Sequence, residues 1–185
     1  VDILLGRDIP DTFYCSYNKP LGKVAGYRII YEESNRSCVI KNWYDYADLL
    51  VYRALDELSS GSRTGAEESF LRLTGMWDGY GFRDAPAGSS GKYAVYKCAL
   101  FIYLYRALQY AGSGVVDDYR HIYDECLGVI ARAQDPVHGG VHTDYRVSNG
   151  HIVIEGDMNT ETTSMVALAL YSEYPGIIGE RARKE

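Results

Sequence analysis

The apolar positions of the chain change period at about residue 42. Before it, Pro10, Pro20 and Gly22 interrupt any helix, and apolar residues fall in short extended runs. Beyond it they recur every three or four residues, the spacing of one helix face. Residues 43–59 carry Ala47, Leu50, Val51, Ala54, Leu55 and Leu58 in one stripe, widened by Leu49 and Tyr52. That pattern predicts a helix buried on more than one side, with Asn42 as its N-cap. Residues 64–76 predict a shorter, one-sided helix, opened by Thr64 and Glu67 at capping-box spacing. Residues 92–110 are apolar on every side, as a core helix is. Residues 115–133 return to a clean stripe, opposite Asp117, Asp118, Arg120, His121, Asp124 and Glu125. Residues 160–172 contain an unbroken apolar run from Met165 to Leu170, again a core helix, which Pro175-Gly176 is expected to stop.

The order is therefore inner, outer, inner, outer, inner. Each outer helix leads to the next inner one through a Gly-rich loop that carries Asp and aromatic residues. The first loop contains Trp77-Asp78-Gly79-Tyr80-Gly81-Phe82-Arg83-Asp84. The second begins at Gln134-Asp135-Pro136-Val137-His138-Gly139-Gly140-Val141 and ends at Asp157-Met158-Asn159-Thr160-Glu161-Thr162-Thr163. Asn149-Gly150 inside it is a strong two-residue hairpin signal and predicts a small β-hairpin in the 137–157 loop. In the arm, Gly26-Tyr27-Arg28-Ile29-Ile30-Tyr31-Glu32 and Ser37-Cys38-Val39-Ile40 read as two strands, with Glu33-Ser34-Asn35-Arg36 as their turn. The division is an arm at residues 1–41 and a mainly α helical-hairpin domain at residues 42–185.

Composition narrows the function classes. A net charge of −6 over 185 residues argues against nucleic acid or an anionic membrane as the main partner. The longest apolar run is interrupted by Lys97, Arg106 and Gln109 and is too short to span a bilayer. Of four cysteines, none forms a CxxC pair, which disfavours a structural zinc site. Cys98 and Cys126 read as small buried apolar groups. Cys15 and Cys38 could pair if the protein is exported, so an extracellular location is allowed but not specified. The start lacks an initiating Met and the last few residues read as a frayed end, so the chain is expected to be part of a longer protein or to be completed by other copies.

Eighteen tyrosines against four phenylalanines make the chain unusually rich in rings with a polar tip. Such rings stack on sugar faces, and carboxylates beside them bond sugar hydroxyls. The loops preceding inner helices supply both. Asp157, Glu161, Asp78 and Asp144 are the candidate catalytic carboxylates, paired as Asp157 or Glu161 with Asp78 or Asp144, one as acid and one as base at a glycosidic bond. Trp43, Tyr44, Trp77, Tyr80, Asp84, Tyr93, His138 and His142 are the candidate substrate contacts. His138, His142 and His151 with Asp144 could in principle hold a metal. Gly139-Gly140 makes a helical His-x-x-x-His pair improbable, and neither a metal nor a cofactor is expected. Arg53 and Arg106, set in apolar helices, are expected to be core ion pairs with Asp48 or Asp56.

The alternation of inner and outer helices, carried by the two loops and by Thr160-Glu161-Thr162-Thr163-Ser164-Met165-Val166-Ala167-Leu168-Ala169-Leu170, resembles the α/α toroids. That group includes six-hairpin glycosidases, related polysaccharide lyases and the terpenoid cyclases. The resemblance covers about residues 42–174. It implies a cleft at one rim, lined by loops at the N-terminal ends of inner helices, and an enzyme that hydrolyses or eliminates at glycosidic bonds. The five predicted helices are fewer than the dozen or so of a closed toroid, which implies an incomplete ring. The alternative is a non-catalytic helical-repeat module that binds glycans or assembles with other chains, including copies of itself.

Overall fold

Helix α4 (Val95–Tyr110) is apolar on all faces, and such a helix leaves water only if neighbours cover every side. In a computed structural model of the chain, which describes residues 14–24, 27–39 and 42–183, it is packed by α1 (Ala47–Ser59), α2 (Arg63–Thr74), α5 (Arg120–Ala133), α6 (Thr160–Tyr171) and α7 (Tyr174–Arg183). Every residue of α4 from Cys98 to Tyr105 is buried. Phe70 of α2 stacks on Phe101 of α4 at 5.5 Å, and Phe82 lies 5.4 Å from the same ring. Contacts of this kind add about 0.5–1.5 kcal/mol each beyond the area they bury.

The protein is mainly helical. Three residues connect α1 to α2, which makes them an antiparallel hairpin. Helix α5 returns antiparallel along α4, with Tyr105 against Tyr123 and Cys98 against Cys126. Helix α6 runs parallel to α4. Arg106, near the end of α4, donates to the carbonyls of Ala169 and Ser172, the last at 2.9 Å, and so caps the C-terminal end of α6. A short helix α3 (Ala85–Ser90) lies in the first Gly-rich loop. Strands β3 (Tyr93–Ala94), β4 (His142–Ser148) and β5 (His151–Met158) form an antiparallel sheet in the order β3-β4-β5. Its β4–β5 turn is the expected one: Asn149 and Gly150 both take positive φ, 51° and 76°, as a type I′ turn demands.

Several expectations are corrected. In the arm, β1 (Tyr14–Val24) pairs antiparallel with β2 (Tyr27–Val39), with Cys15 opposite Asn35 and Tyr17 opposite Glu33. Residues 33–36 are therefore strand and not the turn, and Val24 pairs with Tyr27 at the other end of the ladder. The Cys15–Cys38 pairing concerns side chains outside those described. Helix α2 starts at Arg63 after Ser62, so Thr64 and Glu67 form no capping box, and Glu67 instead lies 3.7 Å from Arg63. Asn42 precedes a 3-10 turn at Trp43–Asp45 and makes no side-chain cap. Pro175 does not end the helical part. It sits in the first turn of α7, where a missing N–H costs nothing. Gly179 then lets α7 close on α4, since a Cβ there would lie 2.7 Å from Ala111 N and from Tyr110 Cβ. Helix α6 is no core helix: only Thr162, Val166 and Ala169 are buried, while Tyr171 is 83% exposed. Arg53 does pair with Asp56, at 3.7 Å, and also with Glu57, but half-exposed and not in the core, and Arg106 caps carbonyls instead of a carboxylate.

Candidate functional site

The N-terminal turns of α1, α4 and α6 line one cavity of about 240 Å³, whose walls also include β4. Local devices hold these turns in place. Helix α1 lacks a side-chain cap of its own, and its first N–H, from Ala47, donates to Asp84 Oδ2 at 3.0 Å across the core. Asp84 also caps α3, accepting from Ala87 N at 3.3 Å, and its Oδ2 takes the ammonium of Lys97, in the first turn of α4, at 2.6 Å. Helix α6 is capped by Asn159, whose side chain accepts from Thr162 N at 2.7 Å. Thr163 ties that cap to the loop by accepting the Val141 N–H at 3.0 Å.

These anchors bring Asp48, Tyr52, Tyr96, Thr143, Asp144 and Glu161 to one cavity. Tyr96 donates its hydroxyl to Asp48 Oδ2 at 3.0 Å. Thr143 donates to Asp144 Oδ2 at 2.8 Å. Asp144 pairs with Glu155 beside a bulge in the β4–β5 ladder, and the next residue, Gly156, with a φ of 73° and no Cβ, admits both Thr143 and Asp144. Asp48 and Glu161 lie in the first turns of their helices, the place where the helix dipole best accommodates acidic side chains.

The tyrosines of this wall are held neutral. Burial, reinforced by the Asp48 and Glu161 carboxylates, pushes Tyr52 from 10.0 up to about 12. Burial and then Asp48 push Tyr96 up as well. Both rings therefore act as hydroxyl donors at neutral pH and not as bases. Below pH ~10 these phenols are protonated folded or unfolded; from there to ~12 the unfolded chain loses protons that the folded one keeps, so stability falls across that window. In an alkaline titration the tyrosinate absorbance of the buried rings should rise only together with loss of helical circular dichroism. A full tyrosinate signal at pH ~10 with the helix intact would contradict this.

Of the four carboxylates expected from the sequence, Glu161 and Asp144 are brought together and two are placed elsewhere. Asp78 closes its own turn: Oδ1 accepts from Tyr80 N and Gly81 N, each at 3.1 Å, and Oδ2 accepts the Tyr93 hydroxyl at 2.5 Å. Asp157 is exposed near the end of β5, outside the cavity lining. The expected substrate contacts are likewise split. Asp84 is a correction, because its side chain is fully buried in the ion pair with Lys97 and cannot meet a ligand. Tyr93 stacks on Tyr145 at 5.3 Å, and Tyr145 donates to the Tyr80 carbonyl at 2.8 Å. Burial and the bond to Asp78 raise Tyr93 to about 12. Trp77 packs on Phe82, and Trp43 meets Tyr44 edge-on, with Arg72 over the Tyr44 ring at 4.4 Å.

The histidines stand apart from the cavity. His138 Nδ1 lies 3.0 Å from Asp135 Oδ1, and the same carboxylate accepts the backbone N–H of His138 and Val137. The backbone bond from His138 is the largest of the contacts that hold Asp135 below the usual carboxylate range. His142 Nδ1 lies 2.9 Å from the Gly156 carbonyl, which makes that nitrogen the donor. His151 is exposed at the start of β5. Among the described residues, no three His, Cys, Asp or Glu side chains are grouped so as to hold a metal ion.

Sequence reasoning misses Asp48, Tyr52 and Tyr96 as site residues. It offers Asp48 or Asp56 as the partner of an arginine and places the tyrosines in the apolar stripes. The available signal is Asp48 and Tyr52 at i, i+4, a carboxylate and a phenol sharing one face of an otherwise apolar helix. With this geometry in place, comparison with protein-family models, curated proteins and solved structures finds no match. Among the described residues no helix is long and apolar enough to cross a membrane.

Proposed function

We propose that the protein is a carbohydrate-active enzyme, or part of one, that cleaves glycosidic bonds at the cavity between α1, α4 and α6. The observation that carries this reading is the meeting of Asp48, Asp144 and Glu161 with two tyrosine hydroxyls at three helix N-termini. In support, Arg106 joins the C-terminal ends of α4 and α6, so the two run parallel, and the Tyr96–Asp48 bond places the start of α1 beside that of α4. Helices α1, α4 and α6 starting at one end, with α2 and α5 between them in the chain, are what hairpins of an α/α toroid-like array require.

Hydrolysis suits the groups better than elimination. A lyase needs a base beside a uronic acid carbon; the raised tyrosines are poor candidates, and the lining residues include no histidine. Carboxylates suit the hydrolytic pair. Glu161, exposed at the mouth, protonates the leaving oxygen. Asp48, steadied by Tyr96, takes a proton from the attacking water as the glycosidic C–O bond breaks and a new C–O bond forms. Asp144 binds a sugar hydroxyl. A cavity of about 240 Å³ is smaller than most small-molecule sites and fits one ring of a longer glycan. Incubation with a panel of neutral and uronic oligosaccharides should release reducing ends without the absorbance of an unsaturated product. Absence of any cleavage across the panel would sink the reading, and unsaturated product would move it to a lyase.

A second reading, assembly with other chains, has its own observation. Tyr171, Tyr174 and Ile177, with Ala167 and Leu168, line an apolar surface groove of about 710 Å³ between α6 and α7. Exposed apolar patches of this kind mark interaction surfaces. Light scattering on the chromatographed protein should show a dimer or larger species that Tyr171→Glu returns to monomer. A monomer at all concentrations would remove this reading.

A further inference from the structure

Cys98 and Cys126 are two buried thiols that the proposed chemistry leaves unused. Cys98 lies one turn into α4 and Cys126 midway along α5, both essentially inaccessible. Their sulfurs are 2.7 Å apart. Sulfurs this close, on two antiparallel helices, need only a short further approach to reach bonding distance. Tyr145 abuts the same pair, and its hydroxyl donates to the Tyr80 carbonyl at 2.8 Å. The pair is therefore the joint between α4, α5 and the strand that carries Asp144 into the cavity.

We infer that Cys98 and Cys126 are a site of oxidation, forming an intramolecular disulfide that ties α5 to α4. The oxidant is a disulfide of low molecular weight, such as oxidised glutathione. One cysteine thiolate attacks it, forming a mixed disulfide and releasing one thiol. The second cysteine thiolate displaces the other thiol, so two cysteine thiols and one external disulfide become one internal disulfide and two external thiols. Burial pushes the Cys126 thiol up, so the folded reduced pair is inert, and exchange takes place before the core closes.

The test uses the whole chain with Cys15→Ser and Cys38→Ser, leaving only this pair. The protein is unfolded, reduced, and refolded in a glutathione redox buffer, then unfolded again in iodoacetamide. No alkylation is expected, with one peptide linking residues 98 and 126 in a non-reduced digest. Reduction should lower the melting temperature by roughly 5–15 °C, because the bond closes a 28-residue separation in the unfolded chain. Cys126→Ala should melt at the same temperature with and without reductant. Full alkylation of both cysteines after oxidative refolding to the native circular dichroism overturns the inference. The outcome is independent of whether any glycan is cleaved.

Discussion

Glu161→Gln is expected to lower kcat on a cleaved glycan by about 10²–10⁴-fold, the range that a positioned acid or base contributes. Asp48→Asn should cost a similar factor. Neither change should move the melting temperature by more than ~2 °C, since Glu161 is exposed and the amide oxygen introduced by Asp48→Asn can still accept the Tyr96 hydroxyl. The contrast that makes the experiment decisive is Asp157→Asn. Asp157 lies outside the cavity, so its variant should keep activity within about a factor of three, against losses in the acid–base range. Asp144→Asn is expected to raise KM more than it lowers kcat, because its role is to bind a hydroxyl and not to move a proton. Equal losses for Asp157 and Glu161 would place the chemistry outside this cavity. Full activity in both Glu161→Gln and Asp48→Asn would remove the acid–base assignment altogether.

What can be seen in the sequence depends on whether the information is local. The alternation of one-sided and all-round apolar helices follows from periods of three and four residues, and it locates α1, α2, α4, α5 and α6 to within a few residues. Asn149-Gly150 fixes the β4–β5 turn for the same reason: two residues determine a type I′ turn. Features that depend on distant partners are not visible. The first turn of α1 is capped by a carboxylate 37 residues away, so Asn42 looks like the cap simply because it is the nearest one. Asp48 looks like a partner for Arg53, and only the placement of Tyr96 shows which way it faces. Pro175 reads as a stop although position rather than identity decides the matter, and at the first turn of a helix proline is compatible. Helix α6 shows the converse limit. Its apolar run predicts burial, but burial depends on neighbours, and one of its faces has none among the described residues.

The largest stability effect is expected at Asp84 and Lys97, which join the scaffold to the site. The pair is nearly inaccessible, with side chains 0% and 6% exposed. Lys97→Met would leave a buried carboxylate facing an apolar group, a change that costs about 3–5 kcal/mol. For a chain of this size that corresponds to a fall of roughly 6–20 °C in melting temperature. Asp84→Ala should be at least as damaging, since it strands the ammonium and also the N–H groups of Ala47 and Ala87. Combining Lys97→Met with Asp84→Asn should recover part of the loss, because the double variant buries no charge while an amide oxygen can still accept from a helix N–H. Asp84 also anchors the first N–H of α1, one residue before Asp48. The double variant should therefore fold and yet retain less activity than its stability implies, with the loss in kcat and not in KM. Urea unfolding of the parent, Lys97→Met, Asp84→Asn and the double variant, read as a double-mutant cycle, measures the coupling directly. A single Lys97→Met change worth less than ~1 kcal/mol would mean that Asp84 is satisfied by its two backbone donors alone, and that the ion pair is incidental to both the fold and the cavity.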